Sequence, residues 1–167
     1  MHVAMVVGLI GLLLAPPKGS EIERNKAVAH RVFDEILNGG RYGLFDELYS
    51  KDFVKHVDRR LATLAQEIED AKGMRIASSD LVMSVDAMIA EGDMVAILYT
   101  GRGTNTGPFQ GMPPTGRKLE ISGMTLYRFS NGRIAEEWAT YNMLEILRQL
   151  GLLPEEPPQR QSIDPYP

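Results

Sequence analysis

The stretch KLEISGMTLYRFSNGRIAEEWATY, residues 118–141, carries the clearest signal of the fold. It consists of two runs of strand length that are separated by Asn131 and Gly132. Both residue types tolerate the positive φ that a two-residue hairpin turn requires. The pattern therefore predicts an antiparallel hairpin with strands over 118–129 and 133–141.

Pairing outward from this turn predicts which side chains share a face. Tyr127 is expected opposite Glu136, and Thr125 opposite Trp138. That face is predicted to be mostly aromatic and to include Phe129, Ile134, Thr140 and Asn142 as well. The other face has an apolar end, which suggests a buried subunit interface and hence a homodimer. Its residues are Met124, Leu126, Arg128, Ala135, Glu137 and Ala139.

The first half of the chain has the periodicity of helices. Ser20 and Glu23 have capping-box spacing, and the apolar residues that follow recur at three- and four-residue steps, so a helix is expected over roughly 21–38. One or two further turns are expected near 44–49, and a second amphipathic helix from Leu61 to about Gly73.

The second half of the chain has apolar runs of strand length that are separated by turn residues. A further hairpin is predicted with strands over 81–90 and 94–100, and a short helix over 143–150 is expected to close the domain. Helices followed by antiparallel strands predict an α+β fold, in which a curved antiparallel sheet has helices packed on one face.

The two ends are set apart from the predicted domain, which is assigned to residues 20–153. Residues 1–19 include an apolar run at 3–15 that is too short for a stable membrane span, which needs about 20 residues. The run is interpreted either as an extension of a cytoplasmic protein or as a signal segment for export. Residues 154–167 are rich in proline and are predicted to be a disordered tail.

Composition excludes several classes of function. The chain has 18 Lys and Arg against 22 Asp and Glu, a formal net charge of −4, and has no basic run, so a nucleic-acid partner is not expected. It contains no cysteine, which excludes disulfides, thiolate metal sites and a cysteine nucleophile. The three histidines lack metal-ligand spacing, so no metal site is predicted.

Several short segments share the pattern of a known family. They are Gly92-Asp93, GTNTG at 103–107, GMPPTGR at 111–117, NGRIAEEW at 131–138 and LEILRQLG at 144–151. From about Asn25 to Leu153 the chain resembles the SnoaL-like polyketide cyclases, which have the nuclear-transport-factor-2-like fold. The resemblance implies a cone-shaped α+β barrel with a pocket between sheet and helices. It also implies aldol closure of a small, hydrophobic polyketide ester without a metal or nucleotide cofactor.

The resemblance also shows two departures at functional positions. The family usually has an acid/base aspartate four positions beyond the tryptophan and a histidine within the Gly-Thr-His-Thr-Gly turn. This chain has Asn142 and Asn105 there. An amide forms hydrogen bonds but does not exchange protons at neutral pH, so Asn142 cannot abstract an α-proton. It could orient a ligand, or it could simply be the N-cap of the closing helix, since Glu145 follows at capping-box spacing.

Two other residues are candidates for the missing base. His56 titrates near neutrality, and Glu136 is a carboxylate on the face predicted to be aromatic. The alternative for His56 is a hydrogen-bonded histidine between a helix and a strand, and the alternative for Glu136 is an ion pair with an arginine. Asn105, Trp138, Tyr99, Tyr127 and Phe129 are predicted to bind the substrate, although the aromatic residues could equally be core.

Three functions follow from these alternatives. The first is a cofactor-independent enzyme that transfers protons on a polyketide-like carbonyl compound, as an aldol cyclase does. The second is a non-catalytic module that binds a small molecule or a partner and has lost the acid/base group. The third, epoxide opening or dehydration, needs paired acidic or histidine groups, for which Asp58 beside His56 is the one hint.

Overall fold

Six strands form a single curved sheet in the order β2-β1-β6-β5-β4-β3. The computed structural model describes residues 18–57, 60–109 and 111–153. The strands are β1 (Tyr49–Val57), β2 (Arg60–Thr63), β3 (Val82–Glu91), β4 (Met94–Thr104), β5 (Lys118–Ser130) and β6 (Arg133–Tyr141). Strands β1 and β6 run parallel, and the other neighbours are antiparallel. The predicted α+β class and both predicted hairpins are confirmed.

The helices precede the sheet, interrupt it and close it. They are α1 (Lys18–Arg31), continued by a π-helix (Val32–Asn38), a 3-10 turn (Tyr42–Leu44), α2 (Phe45–Leu48), α3 (Leu64–Ala77) and α4 (Met143–Gln149). The predicted end of the first helix at residue 38 is confirmed, but its start is not. Because α1 begins at Lys18, Ser20 lies inside the helix, where its hydroxyl accepts a hydrogen bond from Arg24 Nη1 at 3.3 Å.

Strands β1 and β2 were not expected from the sequence. Leu61, predicted to be helical, lies in β2, and the helix begins after Thr63, whose side chain and that of Gln66 form a reciprocal capping box. Helix α3 also passes through Gly73 and ends at Ala77, so the predicted end was wrong. Half of β1 is polar, and its pairing with β6 supplies the hydrogen bonds that hold it as a strand.

The core lies between the helices and one face of the sheet, here called the inner face. Buried sheet residues on it include Val95, Ile97, Tyr127, Phe129 and Ile134, and the helices contribute Ala29, Val32, Phe33, Ile36 and Phe45. Each fully buried large apolar side chain contributes about 1.5–3 kcal/mol to the hydrophobic stabilisation. This packing fixes the side of the sheet on which any enclosed site must lie.

The hairpin turn at Asn131 and Gly132 forms as predicted, and both residues have positive φ, +52° and +74°. The register beyond it differs from the prediction. Phe129 pairs with Ile134 as expected, but Arg128 pairs with Glu136, so that Ala135 is an extra residue in β6. Such a β-bulge exchanges the faces of all residues that follow it.

The bulge overturns the predicted faces of the β6 residues that follow it. Tyr127 pairs with Glu137, not Glu136, and Leu126, not Thr125, pairs with Trp138. Glu137 therefore points to the inner face, whereas Glu136 and Trp138 point to the opposite face, here called the outer face. The predicted aromatic face that combined Tyr127 with Trp138 does not exist.

The outer face exposes several large apolar side chains. Ile89 is 73% exposed, Met124 49% and Leu98 43%. The expected homodimer stays a prediction.

No helix in the described part of the chain is long and apolar enough to cross a membrane. The apolar run at 3–15 and the tail at 154–167 lie outside the described residues.

Candidate functional site

Three ionisable side chains meet on the inner face. Lys55 Nζ lies 2.7 Å from Glu67 Oε2 and 3.3 Å from Glu137 Oε1. The hydroxyl of Thr125 donates a hydrogen bond of 3.0 Å to the same Oε1 atom of Glu137. Glu67 and Glu137 are buried, and the Lys55 side chain is 15% exposed. These three charged residues are here called the inner triad.

Local structure explains why the three side chains converge. Lys55 on β1 and Glu137 on β6 are paired in the parallel ladder, and paired residues in parallel strands point to the same face. Glu67 lies in the first turn of α3, whose start is fixed by the capping box at Thr63. Helix α3 thus places the Glu67 carboxylate against the Lys55–Glu137 pair on the inner face of the sheet.

Burial and charge make Glu137 the member that can exchange a proton. Burial and the neighbouring Glu67 carboxylate raise the pKa of Glu137 from its usual 4.5 to about 7, against the opposing effect of Lys55. Burial alone would lower the pKa of Lys55, but the carboxylates of Glu137 and Glu67 raise it above its ordinary value. At neutral pH the lysine is thus charged, and Glu137 exists in both protonation states.

One buried oxygen atom of the triad, Glu137 Oε2, has no hydrogen-bond partner in the described part of the chain. Buried polar atoms are rarely left in this state, because each costs about 1–3 kcal/mol. Burial raises the pKa of Tyr49 and Tyr127 well above the ordinary value and that of Tyr99 to about 12, so all three phenols stay neutral. Glu137 Oε2 is available to accept or release a proton.

His56, Glu136 and Trp138 come together, but on the outer face. The His56 ring stacks on the Trp138 ring, with centroids 4.7 Å apart and an interplanar angle of 3°. His56 Nε2 lies 3.3 Å from Glu136 Oε2, and Arg128 forms an ion pair with the other oxygen of Glu136. The arginine pairing that was the alternative explanation of Glu136 is therefore present. The four side chains are here called the outer cluster.

Asn105 lies apart from both groups, buried in the glycine-rich loop. Its Nδ2 donates to the carbonyl oxygens of Gly107 at 2.8 Å and Ala77 at 3.4 Å. Its Oδ1 accepts from the backbone N–H of Thr115 at 2.9 Å and from the Thr115 hydroxyl at 3.0 Å. These contacts use the four hydrogen bonds that an amide can form, so Asn105 organises the loop.

Asn142 lies at the exposed end of β6 and caps helix α4. Its Oδ1 accepts the backbone N–H of Glu145 at 3.1 Å, as the N-cap alternative predicted. Asn142 also borders two surface cavities, of about 510 Å³ and about 290 Å³. None of the other seven predicted site residues lines either cavity. Tyr99, Tyr127 and Phe129 are buried in the core instead.

Residues 27–150 match the family described as SnoaL-like polyketide cyclase. The chain belongs to this family. Among solved structures, AclR from Streptomyces galilaeus, for which a hydroxylase activity has been suggested, is 28% identical with a TM-score of 0.72, and the match covers 80% of this chain and 99% of AclR. IdmH from Streptomyces antibioticus, suggested to be a polyketide cyclase, is 26% identical with a TM-score of 0.67 and coverages of 76% and 98%.

A further SnoaL-like protein, from Jannaschia sp. CCS1, supports the fold alone, because it is 21% identical at a TM-score of 0.75, with coverages of 84% and 100%. None of the curated proteins matches the chain. Family membership confirms the resemblance noted from the glycine-rich and tryptophan segments.

The inner triad was missed by sequence reasoning, although one signal pointed to it. Glu67 lies within a helical stripe that otherwise consists of Leu64, Ile68 and Ala71, and a carboxylate on an apolar stripe needs a buried partner. Glu137 was missed because the bulge at Ala135 leaves no mark in the sequence. The described residues contain no group of three metal-ligating side chains. Asp58, the proposed partner of His56, lies outside them.

Proposed function

We propose that this chain is a cofactor-independent SnoaL-like enzyme that transfers protons on a small, polyketide-like carbonyl compound, as an aldol cyclase does. Family membership and the likeness to AclR and IdmH support a cyclase or hydroxylase-like enzyme of this fold. An aldol closure needs one group that removes an α-proton and returns a proton to the new alkoxide. The absence of an acid at Asn142 means that another residue fills this role.

The observation that carries the proposal is the buried carboxyl of Glu137, with one oxygen unpaired and a pKa of about 7. A general base works best when its pKa lies near the working pH. Glu137 lies on the inner face, where the family resemblance expects the substrate. We therefore propose Glu137 as the acid/base group, in place of the usual aspartate.

The adjacent glutamates offer a matched test. We expect Glu137→Gln to lower turnover of a polyketide ester that carries a ketone placed for ring closure by about 100-fold or more, because general acid/base catalysis contributes about 10²–10⁴-fold. Glu136→Gln changes the neighbouring carboxylate in the same way on the outer face. Product formation, measured by chromatography, is compared between the two variants. Unchanged turnover in Glu137→Gln would contradict the assignment.

The outer cluster is the competing location for the base. His56 and Glu136 were the bases proposed from the sequence, and their contact of 3.3 Å would let the carboxylate hold the imidazole in one tautomer. Trp138 would then provide a flat surface for a substrate. Loss of turnover in His56→Gln and Glu136→Gln, with Glu137→Gln active, would assign catalysis to this cluster.

A second candidate function is a non-catalytic binding module. The observation that favours it is the packing of the inner face: Tyr127 and Phe129 are 3% and 4% exposed, and Tyr99 is 9% exposed. Turnover separates the two functions, since a module of this kind would bind polyketides without converting them. Wild-type protein that binds such an ester, with no product after prolonged incubation, would favour the module.

We also propose that the chain forms a homodimer through the outer face. Exposed Leu98 and Met124 lie on paired positions of β4 and β5, and adjacent exposed apolar side chains are typical of subunit interfaces. Sedimentation velocity should find a dimer that Met124→Asp converts to a monomer. A monomeric wild type would overturn this proposal.

A further inference from the structure

Lys55 is shared unequally between two carboxylates. Its Nζ lies 2.7 Å from Glu67 Oε2, a strong charge-assisted contact, and 3.3 Å from Glu137 Oε1, which is near the limit of a hydrogen bond. An ammonium group has three N–H donors. One buried cation thus serves two anions, and Glu137 keeps an oxygen without any partner in the described residues.

The accessible member of the inner triad is the lysine. Its side chain is 15% exposed, against 7% for Glu67 and 5% for Glu137. A ligand that reaches the triad therefore meets Lys55 first, between β1 and α3. An oxyanion is the ligand group that a buried ammonium favours, and it must compete with Glu67 for the same N–H groups.

We propose that Lys55 binds the enolate oxygen of a 1,3-dicarbonyl substrate, such as a β-keto ester, by exchanging Glu67 for that oxygen, beside Glu137. This inference rests on the proposed function and deepens it by naming the group that stabilises the intermediate. Substrate oxygen in the place of the Glu67 carboxylate keeps the buried cation paired, and the displaced carboxylate takes up a proton, because a buried carboxylate without a partner favours its neutral form. It also places the acidic carbon of the substrate next to Glu137 Oε2.

The reaction balances with these groups alone. The C–H bond of the carbon between the two carbonyls breaks, its proton goes to Glu137 Oε2, and its electron pair forms the enolate whose oxygen Lys55 holds. The enolate carbon then attacks a third carbonyl of the same molecule, a ketone placed for ring closure, and the π electron pair of that carbonyl moves to its oxygen. The resulting alkoxide takes the proton back from Glu137, which returns to its starting state. A carboxylate is a weak base toward C–H bonds, so the carbon needs activation by both carbonyls.

The test uses 4-nitrophenol, whose phenolate resembles an enolate and absorbs visible light, whereas the neutral phenol does not. Absorbance titration of the wild-type protein should show binding of the phenolate in preference to the phenol. Lys55→Met should weaken phenolate binding by about tenfold or more, the usual effect of losing a charge-assisted hydrogen bond. Lys51→Met, an exposed lysine of the same strand, is the matched control and should bind like the wild type.

A second variant separates ligand binding from a purely structural role. Glu67→Gln removes the competing carboxylate, so it should tighten phenolate binding, whereas Glu69→Gln on the exposed side of the same helix should not. The double variant Lys55→Met/Glu67→Gln removes both partners together and keeps the interior balanced in charge. It should bind the phenolate as weakly as Lys55→Met.

Three results would overturn the inference: no phenolate binding by the wild type, equal binding by the wild type and Lys55→Met, or weaker binding by Glu67→Gln. The proposed function fails separately, through unchanged turnover in Glu137→Gln. Turnover could depend on Glu137 while phenolate binding does not depend on Lys55. This result would support the proposed enzyme class and refute the role of the lysine.

Discussion

Glu136 and Glu137 are consecutive residues, yet their carboxylates lie on opposite faces of the sheet. Glu136 pairs with Arg128 and approaches His56, whereas Glu137 contacts Lys55 and Thr125. Strand alternation guarantees that adjacent side chains diverge, and the bulge at Ala135 decides which of the two points inward. One residue of register thus determines which carboxylate is enclosed and which meets solvent.

The enclosed position predicts a pH dependence of stability. Because the pKa of Glu137 is raised from 4.5 to about 7 on folding, the folded state binds its proton more tightly than the unfolded state does. Stability should therefore fall as pH rises from about 4.5 to about 7, by at most roughly 3 kcal/mol from this group. Chemical denaturation at pH 5 and pH 8 measures it.

Glu137→Gln removes this titration and should be less sensitive to pH than the wild type. Its free energy of unfolding, relative to that of the wild type, should increase between pH 5 and pH 8. Parallel curves for the two proteins would show that Glu137 does not take up a proton on folding.

How much of this the sequence could predict depends on the range of the interactions. The hairpin at Asn131-Gly132, the closing helix and its Asn142 cap follow from local patterns, and all three are confirmed. Strand β1 depends on pairing with β6, which lies about 80 residues away in the chain, as the contact between His56 and Glu136 illustrates. The strand propensity of the β1 residues themselves gives no information about such a distant pairing.

Only part of the candidate site could be predicted from the sequence, and the reason is the same. His56, Glu136 and Trp138 were named from the sequence and do meet, but on the outer face. Lys55 and Glu137 become neighbours only through the parallel register of β1 and β6, which no local pattern specifies. Family resemblance pointed to the inner face without identifying the residues that replace the usual aspartate.

Arg75 is predicted to be a major stabilising residue outside the site. Its guanidinium donates to the carbonyl oxygens of Leu37 and Asn38 at the end of the π-helix, and to those of Ser79 and Leu81 before β3. We expect Arg75→Met to lower the free energy of unfolding by about 2–4 kcal/mol, because several carbonyls lose a charged donor. Thermal and urea denaturation measure the loss.

The control for Arg75 is Arg102, whose ion pair with Glu120 at 2.8 Å is exposed on both sides. Surface pairs of this kind contribute about 0–1 kcal/mol, so Arg102→Met should be nearly neutral. Equal losses in the two variants would contradict a special role for Arg75.

The stacked rings of the outer cluster predict an optical signal. Trp138 is the single tryptophan of the chain, and the His56 ring covers one of its faces at 4.7 Å. His56→Ala should expose the indole and shift its fluorescence emission to longer wavelength, with a loss of about 0.5–1.5 kcal/mol in stability. His30→Ala, on the exposed side of α1, should leave the emission unchanged. An unshifted spectrum in His56→Ala would contradict the stacking.

Variants of Asn142 can distinguish a structural role of this residue from a catalytic one. As N-cap of α4 it accepts the Glu145 N–H at 3.1 Å, so Asn142→Ala should cost about 1 kcal/mol, and Asn142→Asp, an equally good cap, should cost almost nothing. The aspartate variant restores the residue type that the family usually has at this position. If Glu137 is the acid/base group, turnover of a polyketide ester should be the same in Asn142→Asp and the wild type. A large gain of turnover would instead assign the acid/base position to residue 142.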